Sequence, residues 1–230
     1  PEFQDWAAEE MLKQVKIPDD RFKSYDGVAL DNVNIGYYRT HIITNGYPNW
    51  TYAGIEDTWN NGFIEYLRKI KIKFHKNKLK VAGNWNLWYH TSIDGEDLWN
   101  KAINSMDILV TERALINESS DVIVSGTLWE NCLAREDMIK RNGKTHWWII
   151  YPETGANQQK EFMYFYCSWL LVKSDNSLFW AGENYETLDA PEKPWYPEYE
   201  YDLGYPLGAR YEVSSLWLRE YENAWIAVNP

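Results

Sequence analysis

Asp26-Gly27-Val28-Ala29-Leu30-Asp31-Asn32 is the stretch on which the reading of the fold turns. Val28, Ala29 and Leu30 are apolar, with Gly27 before them and polar residues after, the pattern of a short strand covered on both faces. The strand ends in a carboxylate, Asp31. In α/β barrels the loops at the C-terminal edge of the strands form the mouth of the site, so a carboxylate there is a candidate for chemistry. The competing reading is that Asp31 only caps the loop that follows.

The same grammar recurs along the rest of the chain. Residues 1–17 carry a near-helical apolar stripe stopped by Pro18. Beyond Asp31, residues 34–55 read as a long loop rich in Gly and aromatic residues, with turn signals at Asn45-Gly46 and Pro48-Asn49. Trp59, Phe63, Leu67, Ile70 and Phe74 keep helical spacing, and Lys and Arg gather toward the C-terminal end, as the helix dipole favours. Leu79 to Asn86 is the second strand, ending in amides and a Trp. Met106 to Arg113 is the third, an apolar run closed by Glu112. His146 to Tyr151 and Leu178 to Ala181 are the fourth and fifth. Helices are predicted over 95–105, 129–142 and 158–173. Residues 183–208 form a loop rich in Pro, Tyr and Glu, and short strands follow over 211–213, 216–221 and 225–228.

Strand and helix in alternation mean a parallel sheet with helical crossovers. A complete (β/α)8 barrel has eight strands and typically about 250 residues. The chain therefore reads as α/β, of the (β/α)8 TIM-barrel type, with the last five strands visible. Residues 1–182 are the partial barrel, and residues 183–230 are an aromatic loop and a β tail packed on it. A second chain or an upstream segment is expected to complete it. A doubly wound sheet fits worse, because no Gly-rich phosphate loop follows any strand.

Composition narrows the partners. The chain has 230 residues, enough for one substantial core, and a net charge of −11. That charge speaks against nucleic acid and against anionic membrane surfaces. No apolar run reaches membrane-spanning length. The 14 Trp and 17 Tyr exceed what a core of Leu, Ile and Val needs, and such rings suit a surface that stacks on sugars. Cys132 and Cys167 permit one bridge and form no zinc pattern, and no metal or other cofactor is expected.

Glycoside hydrolysis needs two carboxyl groups flanking the bond, one to protonate the leaving oxygen and one to attack carbon or activate water. Asp31 and Glu112 are the best pair, each ending an apolar strand. For Glu112 the competing reading is an ion pair with Arg113 or another basic group. Asn32, Asn84 and Asn86 are candidates to bond sugar hydroxyls, with loop backbone the equal alternative for Asn84 and Asn86, and Trp50, Trp85 and Trp88 to stack on sugar rings, with core packing the alternative for the tryptophans.

The order of Asp-Gly-Val-Ala-Leu-Asp-Asn (26–32), Gly83-Asn84 and Ile108-Leu109-Val110-Thr111-Glu112 resembles the glycosidase barrels related to endo-α-1,4-polygalactosaminidase. Leu203-Gly204-Tyr205-Pro206-Leu207-Gly208 and the closing run Leu218 to Pro230 are similar to the tail of those barrels, with Tyr221 where Phe is usual and Ala224 where Gly is usual. The resemblance implies a nucleophile or base at Asp31 and a general acid/base at Glu112, acting on a polysaccharide or oligosaccharide outside the cell. The rival expectation is a non-catalytic barrel that binds glycan or serves as a structural subunit of a larger assembly.

Overall fold

The computed structural model describes residues 2–16, 26–31, 33, 52–85, 96–117, 122–152, 155–182 and 195–230. Most of the expected aromatic loop over 34–55 lies outside the described residues, as do Asn32, Trp50, Asn86 and Trp88.

The five expected strands form as β1 (Gly27–Leu30), β2 (Lys80–Asn84), β3 (Ile108–Glu112), β6 (Thr145–Ile150) and β7 (Ser177–Ala181). They make one five-stranded sheet in the order β1-β2-β3-β6-β7. The pairs β1/β2, β2/β3 and β6/β7 are parallel. Helices α1 (Glu2–Lys16), α2 (Tyr52–His75), α3 (Glu96–Asn104), α4 (Gly126–Arg141) and α5 (Gln158–Val172) alternate with them. The parallel α/β order expected from sequence is present. Among the described residues the sheet is open and does not close into a barrel. A two-residue hairpin, β4 (Ile116–Asn117) with β5 (Val122–Ile123), was not legible, being too short to show periodicity. Among the described residues no helix is long and apolar enough to cross a membrane. The chain divides into two compact units, Pro1–Val110 and Thr111–Pro230.

In the first unit the ladder registers Val28 on Val81, Ala29 on Ala82 and Leu30 on Gly83. Side chains alternate across a strand. Val81, Gly83 and Trp85 are accordingly buried on one face, while Ala82 and Asn84 turn to the other. Ile64, Leu67, Ile70 and Phe74 of α2 are buried at helical spacing. Gly83 is closely packed: a Cβ there would come within 2.8 Å of Met106 Cε, so the methionine would have to shift. At the start of β3, Asp107 accepts from His75 Nε2 at 2.8 Å and from the Val81 N–H at 2.9 Å, with Lys71 Nζ 3.3 Å away. Burial opposes ionisation of Asp107, but these donors outweigh it and hold its carboxyl below the usual range.

In the second unit Trp129, Trp148, Phe162 and Phe165 fill the core. A buried polar network runs through it. His146 pairs through Nδ1 with the Glu136 carboxylate and shares a 2.8 Å hydrogen bond through Nε2 with Thr111 Oγ1. Trp148 Nε1 donates to the same Glu136 at 3.1 Å. Such groups are tolerable in a core because each finds a partner. By alternation Thr111 points away from the face that carries Glu112. Cys132 and Cys167 are free thiols, their pKa values pushed up by burial to about 12 and about 11. The tail forms a three-stranded antiparallel sheet, β10 (Trp225–Val228), β9 (Leu216–Glu220) and β8 (Tyr211–Val213). Arg219 welds it to α5: Nη1 donates to Leu170 O and Lys173 O, both at 2.9 Å, and Nε to Gly208 O at 3.1 Å.

Candidate active site

Asp31 follows β1 directly, and the register that sets Leu30 beside Gly83 brings it next to Asn84, the last residue of β2. Asn84 Nδ2 donates to Asp31 Oδ1 at 3.0 Å. The backbone of Asn84 is tied as well, since its carbonyl accepts from Val33 N at 2.9 Å. The residue after it, Trp85, donates its N–H to Val110 O at 2.7 Å. One strand end thus fixes the carboxylate of its neighbour while the chain past Asp31 is fastened to the same strand. Asp31 is exposed.

Glu112 ends β3 in the second unit. Tyr151, directly after β6, donates its hydroxyl to Glu112 Oε1 at 2.7 Å. The Tyr151 ring stands edge-on to Trp180 of β7, with centroids 5.9 Å apart. Past Glu112 the chain turns sharply, with Arg113 and Leu115 at φ 57° and 63°, backbone that side chains seldom adopt. The turn is held by Ile116 N donating to Arg113 O at 3.0 Å. Backbone strain of this kind clusters at functional sites.

The two carboxylates therefore share a design. Each follows the apolar run of a parallel strand, and each accepts from a neutral donor at the end of another strand. Asn84, a candidate to bond sugar hydroxyls, donates its amide to Asp31 in the structure. Tyr151 and Trp180 were not among the candidates. The signal was present in Ile149-Ile150-Tyr151-Pro152, a strand-end residue of the same kind as Asp31 and Glu112, but the ring passed for an apolar one. Trp85 is 0% exposed and packs in the core of its unit, so in this structure it offers no face to a sugar.

Carboxylates at strand ends can exchange protons with a glycosidic oxygen, attack an anomeric carbon or polarise water. A family model described as hypothetical glycosyl hydrolase family 15 matches residues 2–225. Among curated proteins none matches the chain.

Proposed function

We propose, from the premise that this chain belongs to hypothetical glycosyl hydrolase family 15, that it cleaves the glycosidic bonds of a polysaccharide with Asp31 as nucleophile or base and Glu112 as general acid/base. The observation that carries the assignment is the repeated strand-end device: Asp31 with Asn84, Glu112 with Tyr151. In such a reaction the acid protonates the leaving oxygen while the second carboxylate attacks carbon or draws a proton from water. Asn84 and Tyr151 each hold one carboxylate oxygen, which limits rotation of the reacting group and shortens the search for a productive geometry. The fold as a barrel, of which the five-stranded sheet is a part, belongs to the same proposal.

The test is release of reducing ends from polysaccharides by the wild type and by Asp31→Asn and Glu112→Gln. Loss of a nucleophile or of a general acid costs roughly 100- to 10,000-fold in rate. Both variants should fall in that range with their unfolding midpoints unchanged. Wild-type rates in either variant would remove that residue from the chemistry. The second reading, a glycan-binding or structural barrel, draws on the exposed rings of Trp195, Tyr201, Tyr205 and Trp225. It requires saccharide binding with no reducing ends released.

A further inference from the structure

The segment Leu203-Gly204-Tyr205-Pro206 takes no part in the chemistry above, yet its backbone is pinned throughout. Tyr205 N donates to Glu222 Oε2 at 2.9 Å, Glu222 N to Tyr205 O at 3.0 Å, and Asn223 N to Leu203 O at 3.1 Å. Gly204 sits at φ 69°, and a Cβ there would lie 2.6 Å from Glu222, so only glycine lets the segment lie this close to the hairpin. What the pinning holds in place is one wall of a cleft of about 440 Å³, within the range of roughly 300–1,000 Å³ usual for ligand sites.

The facing wall is α5. Tyr166 and Trp169, three residues apart, share one helix face, their rings 17° from parallel with centroids 5.9 Å apart. Lys173 Nζ lies 5.6 Å from the Trp169 ring centroid. At the mouth stand Tyr201 and Tyr205, 63% and 75% exposed on the pinned backbone. Asp202 and Lys173 supply an acceptor and a donor among the rings. Lys173 to Asp175 lead into the start of β7, whereas Glu112 ends β3 and Tyr151 follows the end of β6. The cleft thus belongs to the opposite end of the strands from the candidate carboxylate, about one strand length, roughly 16 Å, away.

Rings held at fixed positions with charged groups between them suit a ligand that has apolar C–H faces and many hydroxyls. We propose that this cleft is a second, non-catalytic binding site for a neutral oligosaccharide stretch. The ligand class rests on the glycoside-hydrolase reading; the site rests on the cleft itself. Pre-ordered backbone means that the two mouth tyrosines are already placed, so little ordering is left to oppose binding. The site keeps the protein on a polymer between cleavage events.

The experiment titrates cellohexaose, xylohexaose and mannohexaose in turn into the full chain carrying Glu112→Gln, which blocks turnover. Affinity is read by calorimetry, and location by hydrogen-exchange protection of residues 199–206. At least one hexasaccharide should protect that segment. Losing one stacking ring weakens binding by roughly three- to ten-fold, so Tyr201→Ala with Tyr205→Ala should weaken it by about ten-fold or more, while Tyr205→Trp retains it. Both tyrosines are exposed, so the replacements leave the fold intact, which a thermal melt checks. Binding with no protection of 199–206 and no effect of the double variant overturns the site. If no hexasaccharide binds while the wild type still releases reducing ends, the cleft assignment falls and the hydrolase reading stands. If binding maps to the cleft in a protein that hydrolyses nothing, the hydrolase reading falls and the cleft stands.

Discussion

At the scale of single residues, Asn84 separates positioning from binding. Its amide holds Asp31 Oδ1, so its removal acts through the carboxylate. Asn84→Ala should lower kcat by about ten-fold or more, in line with a hydrogen bond to a charged group worth about 1.5–3 kcal/mol. KM should change little. In a double-mutant cycle with Asp31→Asn the effects should be strongly non-additive, because the second change has nothing left to orient. Additive effects would return Asn84 to the role of a sugar ligand. Asp107 illustrates a residue whose charge serves the fold alone. Its folded pKa is depressed, so its contribution is complete above the unfolded carboxylate pKa, about 3.9, and is lost as pH falls through the lower folded value. Asp107→Asn should therefore cost about 1–2 kcal/mol at pH 7 by urea denaturation, since two hydrogen bonds to a charged group become neutral ones. The difference from wild type should shrink below about pH 4. A cost that stayed constant from pH 7 to pH 2.5 would mean that packing, not charge, holds this corner.

Among the elements, α5 depends on a cap supplied from far along the chain. A helix ends with unpaired carbonyls, and a cation there also meets the favourable end of the dipole. Arg219, 4% exposed, satisfies Leu170 O and Lys173 O at once. Tyr221 Oη donates to the same Leu170 O at 2.7 Å. Arg219→Leu leaves buried acceptors without their charged donor, and the expected loss is about 3 kcal/mol in the urea unfolding free energy. Arg219→Lys should recover only part, since an ammonium lacks the planar fork that spans both carbonyls and Gly208 O. Equal stability of all three proteins would show that α5 and the tail are not coupled through this side chain. This long-range cap also marks where sequence reading stops. The strands were legible because short apolar runs that give way to Asp31, Asn84 and Glu112 say both "strand" and "rim" locally. Nothing local ties Arg219 to a helix end 46 residues earlier. Trp85 takes the core-packing alternative, and the reason is local. It follows the amide Asn84 and looks like a rim residue, but it shares parity with Val81 and Gly83, so alternation already assigned it to the buried face. Tyr151 was missed because a ring at a strand end counts as apolar until its hydroxyl is seen on Glu112.

For the whole chain, charge sets which polymers are accessible. With 34 acidic and 23 basic residues, the net charge of −11 gives a field that repels polyanions over a distance set by salt. A neutral polysaccharide feels none of this, so its rate of hydrolysis should stay constant within about two-fold between 20 and 500 mM NaCl, a range over which the Debye length contracts from roughly 20 Å to about 4 Å. A polyuronate should be a poor substrate at low salt, with kcat/KM rising as salt screens the repulsion and kcat itself unmoved. Encounter, not the bond-breaking step, feels the long-range field, so the effect belongs in kcat/KM. Steady-state rates on a neutral and an anionic polymer at the two salt concentrations decide it. If the polyuronate is instead the better substrate at 20 mM NaCl and loses activity as salt is added, then a local basic surface overrides the global field. Arg113, beside Glu112 at φ 57°, would be the first side chain to replace.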